Sequence, residues 1–141
     1  MRYVIEPNRT KPVALETAAL VIARLKAAGA SIFMEESYQS QFQGLSGYLP
    51  ADEIYLDKDF VIAIGGDGTI NEFLNGVVDF SVFRLGVIPA GSGNDFSRGL
   101  HLARHNPKKS IRSLLDNPKE TVIDTGLVTV NPGAPDENRS E

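Results

Sequence analysis

Asp67 stands among glycines in Gly65-Gly66-Asp67-Gly68-Thr69, with Asn71 and Glu72 close behind, and this is where the chain could do chemistry. Glycines let a ligand come close to the backbone, because no Cβ obstructs it and the backbone angles are less restricted. A carboxylate beside bound phosphate is repelled unless a cation stands between them or the carboxylate is there to take a proton. The combination points to Mg²⁺-assisted phosphoryl transfer rather than nucleotide storage. Two other phosphate loops are excluded on spacing. There is no G-x-x-x-x-G-K-[ST] run, and Gly66-x-Gly68-x-x-Asn71 lacks the third glycine of the dinucleotide fingerprint. The plain alternative is a glycine-rich strand-to-helix turn with no ligand.

The flanking residues define the elements that must hold this turn. Phe60 to Ile64 is an unbroken apolar run, the pattern of a strand buried on both faces of a parallel sheet. Ile70, Phe73, Leu74 and Val77 fall at i, i+3, i+4 and i+7, the stripe of a helix packed on that sheet. In a strand-loop-helix unit the N–H groups of the first helical turn converge at the positive end of the helix dipole, where phosphate binds. A second unit follows: Leu85 to Ile88 reads as a strand, then Pro89-Ala90-Gly91-Ser92-Gly93-Asn94-Asp95-Phe96-Ser97-Arg98 as another small-residue loop. Two such loops at the carboxyl ends of strands in one sheet would share a crevice.

These paired stretches resemble the catalytic domain of the diacylglycerol kinase family, which includes bacterial lipid kinases and sphingosine kinases. The residues that carry the resemblance are Gly65-Gly66-Asp67-Gly68-Thr69 with Asn71-Glu72, and Ile88 to Phe96 with Arg98. Ser92 and Ser97 replace a Thr and an Ala of the family's usual second motif. The first motif is shared with NAD kinases, so the pairing is what is specific. The resemblance covers about residues 1–128 and the first half of the family's usual architecture, without the β-rich second domain. It implies the N-terminal domain of the NAD kinase/diacylglycerol kinase-like fold, ATP and Mg²⁺ as cofactors, and a lipid hydroxyl as acceptor. By the same resemblance Gly65, Gly66, Gly68, Thr69 and Ile70 would cradle phosphates, with Asn71 supporting the loop or touching nucleotide. Gly91, Ser92, Gly93 and Asn94 would form the crevice's other wall. Asp67 would organise Mg²⁺ through water or deprotonate the acceptor. For Asn94, Asp95 and Arg98 the structural alternative is capping and an internal ion pair.

Composition bounds the rest. A chain of 141 residues, 42% hydrophobic, suits one domain burying about 68% of its unfolded surface. Fourteen basic against eighteen acidic residues give a net charge of −4, which offers no electrostatic footprint for nucleic acid or an anionic membrane. Any lipid contact is then local and apolar. Having no cysteine, the chain makes no disulfide and no thiol chemistry, in keeping with a cytoplasmic protein. No signal peptide pattern opens the sequence, and no apolar run approaches the ~20 residues of a membrane span.

In chain order, Arg2 to Glu6 reads as the first strand, ended by Pro7. Thr10 suits a helix cap and Pro12 the first turn; Leu15, Ala18, Ala19, Ile22 and Leu25 form the inward stripe, and Gly29 stops the helix. The turn between strand and helix departs from the lipid kinases' N-P-x-[SA]-G and is closer to that of NAD kinases. Asn8 is its candidate nucleotide contact, or else a turn residue bonding its own backbone. Ser31 to Glu35 is a second strand, and the β-α-β order favours a right-handed parallel crossover. Residues 37–50 read as a surface loop, with a helical turn over 51–58. Ser37 matches a family nucleotide contact only loosely. His101 and His105 read as solvated residues. Asn106 and Pro107 start a helix with Ile111, Leu114 and Leu115 inward, residues 121–128 form a last strand, and 129–141 a disordered polar tail.

The fold expected is therefore doubly wound α/β, a mainly parallel sheet with helices on both faces. The function implied is ATP-dependent phosphorylation of a lipid hydroxyl, incomplete without a second domain that a separate chain or a homo-oligomer would supply. The protein would be cytoplasmic, peripheral at the membrane. NAD kinase is the first alternative, and a nucleotide-binding fragment without catalysis the second.

Overall fold

The computed structural model describes residues 1–76, 84–90 and 107–116. Five strands form one parallel sheet: β1 (Arg2–Pro7), β2 (Ser31–Glu35), β3 (Gly47–Leu49), β4 (Phe60–Gly65) and β5 (Arg84–Pro89), in the order β3-β2-β1-β4-β5. The described helices are α1 (Pro12–Ala27), α2 (Asp67–Gly76) and α3 (Pro107–Asp116), with a 3₁₀ turn over Glu36–Tyr38. The chain starts in the middle of the sheet, builds outwards to β3, and returns to place β4 on the other side of β1. That reversal between β1 and β4 is the switch point at which such sheets leave a crevice.

Alternation along the strands divides the core in two. Ile5, Ile32, Met34, Ile62, Ile64 and Ile88 pack with Ala14, Ala18, Val21, Ile22 and Leu25 of α1 and with Ile111 of α3. Val4 and Val61 face the other way, onto Phe73 of α2 and Ile54. Helices thus cover both faces, and β4 is buried along nearly its whole length, as its unbroken apolar run requires. Gly86 lets α3 seat closely: a Cβ there would lie 2.7 Å from Leu114 Cδ1 and 2.8 Å from Phe60 Cε1.

The inward face of α1 is turned relative to the expected stripe. Ala14, Thr17, Ala18, Val21, Ile22 and Leu25 are buried, while Ala19 is exposed and Leu15 half-buried. Thr17 tolerates burial because its hydroxyl donates to the Val13 carbonyl at 2.7 Å. Lys11, not Thr10, occupies the cap, with Pro12 at the first helical position. Gly29, at φ +77°, ends the helix as expected. Its N–H donates to Lys26 O (3.0 Å) and that of Ala30 to Leu25 O (3.1 Å), a Schellman closure.

Residues 37–50 are not wholly loop. Gly47–Leu49 pairs with β2 through Phe33↔Gly47, Met34↔Tyr48 and Glu35↔Leu49. The Tyr48 hydroxyl accepts from Leu45 N–H and donates to Phe42 O, closing the loop over that edge. Residues 51–57 are turns rather than a helix, and they bury Ile54. The helix with Ile111 inward forms as expected. The second glycine loop with Asp95 and Arg98, the two histidines, the strand at 121–128 and the tail at 129–141 lie outside the described residues.

Candidate active site

The strand ends build the site. β1 and β4 run in register from Tyr3↔Phe60 to Pro7↔Ile64, and the Asn8 N–H continues the ladder by donating to Ile64 O at 2.8 Å. At the end of β4 the chain turns within Gly65 and Gly66, and α2 begins at Asp67, three residues before its apolar stripe. The central glycine motif is therefore partly helical. Asp67, Gly68 and Thr69 form the first turn, whose N–H groups have no carbonyl four residues back within the helix. A carboxylate at this end is favoured by the helix dipole, so Asp67 also supports α2 as it stands.

The glycines serve different ends. A Cβ on Gly65 would run into Thr69 Oγ1 and lie 3.0 Å from Asn8 Cβ, so this position is small because the turn packs against itself. A Cβ on Gly68 would meet nothing within 4 Å. Neither glycine adopts positive φ, so the requirement is space rather than backbone angle.

Gly68 opens onto a cleft of about 420 Å³ at the switch point. Glu6 to Thr10 form one wall, Glu35 and Tyr38 the rim of β2, Ala51, Ile54 and Tyr55 the turns, and Gly68, Thr69 and Glu72 the α2 side. Of the residues singled out from sequence, Asn8, Gly68 and Thr69 come together here. Gly65 lies behind Thr69, Gly66 forms the turn itself, and Asp67 opens α2. Ile70 is buried and donates its N–H to Gly66 O, while Asn71 is exposed on α2. Asn8 forms the turn its type suggested: its Oδ1 accepts from Thr10 N–H at 3.0 Å and from the Thr10 hydroxyl at 2.8 Å. Ser37 donates to Glu35 Oε1 at 3.2 Å, a local contact on the rim. Gly91, Ser92, Gly93 and Asn94 lie outside the described residues. The chain leads to them from the same sheet edge, since Ala90 N–H donates to Gly65 O at 3.0 Å.

Sequence reasoning missed the floor of the cleft. Glu6 shares the Val4 face of β1, where a strand covered by α2 ordinarily carries an apolar side chain. The Tyr55 hydroxyl donates to Glu6 Oε1 at 2.6 Å, while Glu6 Oε2 is shielded from solvent and has no hydrogen-bond partner among the described residues. Burial, reinforced by Glu72 and Glu35 and opposed by the Tyr55 hydrogen bond and by Arg9, raises the Glu6 carboxyl from 4.5 to about 7. Burial and the neighbouring Glu6 push the Tyr55 phenol up as well. On the rim, Arg9 pairs with Glu35 at 2.9 Å and stacks over the Tyr38 ring at 4.6 Å. The Tyr38 hydroxyl donates to Pro7 O at 2.9 Å.

Among the described residues no group of three or more histidines and carboxylates is placed to cage a metal ion. A single carboxylate can share Mg²⁺ with phosphate oxygens and water, the usual way proteins hold that ion with a nucleotide. Among those same residues no helix is long and apolar enough to cross a membrane.

A doubly wound parallel sheet, with a glycine turn leading from its central strand into a helix beside an open switch-point cleft, defines an α/β domain of the mononucleotide-binding architecture. A family model for the diacylglycerol kinase catalytic domain matches residues 4–128, and the chain belongs to that family. It is 34% identical over 102 residues to a diacylglycerol kinase of Staphylococcus haemolyticus, covering 72% of this chain and 30% of that protein. It is 30% identical over 128 residues to a diacylglycerol kinase of Bacillus subtilis, covering 90% of this chain and 41% of that protein. The matched region thus spans between 30% and 41% of the length of these two relatives.

Proposed function

We propose that this chain is the nucleotide-binding part of a lipid kinase, which moves the γ-phosphoryl group of ATP to a lipid hydroxyl such as that of diacylglycerol. The observation that carries this reading is the opening of Gly68 and the first turn of α2 onto the switch-point cleft. Polyphosphate lies against the N–H groups of that turn, where backbone dipoles stabilise the charge that develops during transfer. Gly91, Ser92, Gly93 and Asn94, which follow Ala90 in the sequence, are proposed as further phosphate contacts. The acceptor oxygen attacks the γ-phosphorus, the bond to the β-phosphate oxygen breaks, ADP leaves, and the hydroxyl proton departs. Asp67 either takes that proton or orients the hydrated Mg²⁺ of the nucleotide, which when bound neutralises phosphate charge.

Because the chain matches about a third of its relatives' length, ATP binding is proposed for this chain. Turnover is proposed for the assembly with the remaining part, supplied by further sequence, a separate chain or a second copy. The net charge of −4 suits a cytoplasmic protein that meets its lipid through local apolar contact at a membrane surface.

Two measurements test this. Calorimetric titration of the 141-residue chain with MgATP should show saturable binding. Labelled phosphate from ATP should appear on diacylglycerol in mixed micelles, in the assembled kinase, and not on NAD. Label on NAD and on no lipid would overturn the lipid acceptor in favour of NAD kinase activity. Binding without transfer in the assembly would leave a nucleotide-binding module.

A further inference from the structure

Residues 51–57 pass over the α2 face of the sheet as a strap of turns, fastened by two side chains. Ile54 is buried with Val4, Val61 and Phe73, and the Tyr55 hydroxyl donates to Glu6 Oε1 at 2.6 Å. The Tyr55 ring is also wedged against α2: it meets Phe73 edge-on at 5.3 Å, and a Cβ on Gly76 would lie 2.9 Å from it. The second carboxyl oxygen, Glu6 Oε2, is shielded from solvent and has no hydrogen-bond partner among the described residues.

The two sides of this contact are not equally firm. Glu6 belongs to the central strand, paired with Ala63 of β4, and stays with the sheet. The strap closes its turns locally, with Glu53 N–H on Pro50 O at 3.0 Å and Leu56 N–H on Glu53 O at 3.1 Å, so Ile54 and Tyr55 tie it down. Its far end is pinned, because buried Lys58 donates from Nζ to Leu56 O at 2.6 Å and stands 4.6 Å over the Phe33 ring. Between pin and tie, Asp57 bends the chain at φ 55°, a left-handed conformation that costs a residue with a Cβ and that opening would relax.

Four groups face the Glu6 carboxyl: Tyr55 from the strap, Glu72 from α2, Glu35 from β2, and Arg9 from the turn after β1, itself paired with Glu35 at 2.9 Å. Burial first, then the two carboxylates, keep Glu6 protonated up to about 7, against 4.5 ordinarily. Its charged form needs water at Oε2, and the strap is the cover that gives way most easily.

We propose that residues 51–57 are a proton-operated strap: protonated Glu6 keeps it closed on the sheet, and loss of that proton lifts Ile54 and Tyr55 about the bend at Asp57, so that water reaches the carboxylate. Ala51, Ile54 and Tyr55 line the cleft, whose wall on that side is then set by pH. The device operates whether or not the cleft takes nucleotide.

Hydrogen exchange on the 141-residue chain, corrected for the intrinsic effect of pH, tests it. Closure is favoured below pH 4.5 and lost as pH rises through about 7, so opening of the strap should increase about thirtyfold between pH 5 and 7 and then level off. At low urea concentrations the strap amides should exchange at a rate indifferent to urea, while those of β4 quicken with it, because the strap opens without unfolding the sheet. Glu6→Gln, which stays neutral and can still accept from Tyr55, should make strap exchange flat in pH. Glu72→Gln, on the exposed side of α2, removes a carboxylate that favours the proton and should move the rise to lower pH; it carries the test if the first variant does not fold by circular dichroism. Strap exchange that ignores pH, that follows β4 in urea, or that keeps the wild-type pH dependence in both variants overturns the proposal.

Discussion

The same strands present two unlike faces. Toward α1 and α3 the sheet offers Ile5, Ile62, Ile64 and Ile88, and helix α1 meets it with Ala14 and Ala18, both fully buried, so that backbones come close. Toward α2 the apolar set is smaller, Val4, Val61, Ile54 and Phe73, and one strand position beyond Val4 on that face stands Glu6. The first face gives cohesion; the second gives up part of its packing to a cleft. Neighbouring residues of a single strand, Ile5 and Glu6, thus face the packed core and the cleft respectively.

The largest effect expected from breaking this division is on the cohesive face. Ile62→Ala removes a fully buried side chain from the centre of the sheet and should cost about 4 kcal/mol in denaturant unfolding. MgATP affinity of the folded fraction should stay within about twofold, because Ile62 points away from the cleft. A matching loss of affinity would mean the faces are not independent.

The other face should betray itself by pH. The Glu6 carboxyl titrates near 7 in the folded chain against 4.5 ordinarily, because burial disfavours its charge, with Glu72 and Glu35 adding to it and Tyr55 and Arg9 opposing. Folded protein therefore holds this proton where unfolded protein has lost it. Stability is full below pH 4.5 and declines as pH rises from 4.5 through about 7, by roughly 3 kcal/mol, then levels off. Thermal midpoints measured across that window should fall, and Glu6→Gln should flatten the profile. A wild-type profile already flat between those values would mean that Glu6 is solvated.

The two faces also differed in how far sequence could describe them. β4 was plain, because five consecutive apolar residues leave few alternatives, and the helix after the glycines was evident from Ile70, Phe73 and Leu74. It begins three residues before that stripe: Asp67-Gly68-Thr69 has a turn's composition, but the helix dipole favours an acid there. On α1 the inward stripe was misjudged by one position, because Thr17 can be buried by bonding Val13 O, which hydropathy does not register. β3 was missed, being three residues long at the sheet edge, too short for any period. From sequence Glu6 reads only as a strand end. Alternation with Val4 placed it on a buried face, but only the distant Tyr55 shows why a carboxyl can stay there.

Within the glycine turn the contrast can be sharpened to two neighbouring methyl groups. Gly65→Ala pushes a Cβ into Thr69 Oγ1 and Asn8 Cβ, inside a packed turn, and should cost about 2 kcal/mol of stability. Adding Thr69→Ala should recover roughly half, since it removes the hydroxyl but not the Asn8 contact. Gly68→Ala meets no protein atom within 4 Å and should change stability by less than about 1 kcal/mol. Its methyl nevertheless enters the cleft beside the first turn of α2, and MgATP and tripolyphosphate should both weaken by about tenfold. If Gly68→Ala binds both ligands as wild type does, the open space at this position is not where phosphate lies, and the glycines of the turn are there for packing alone.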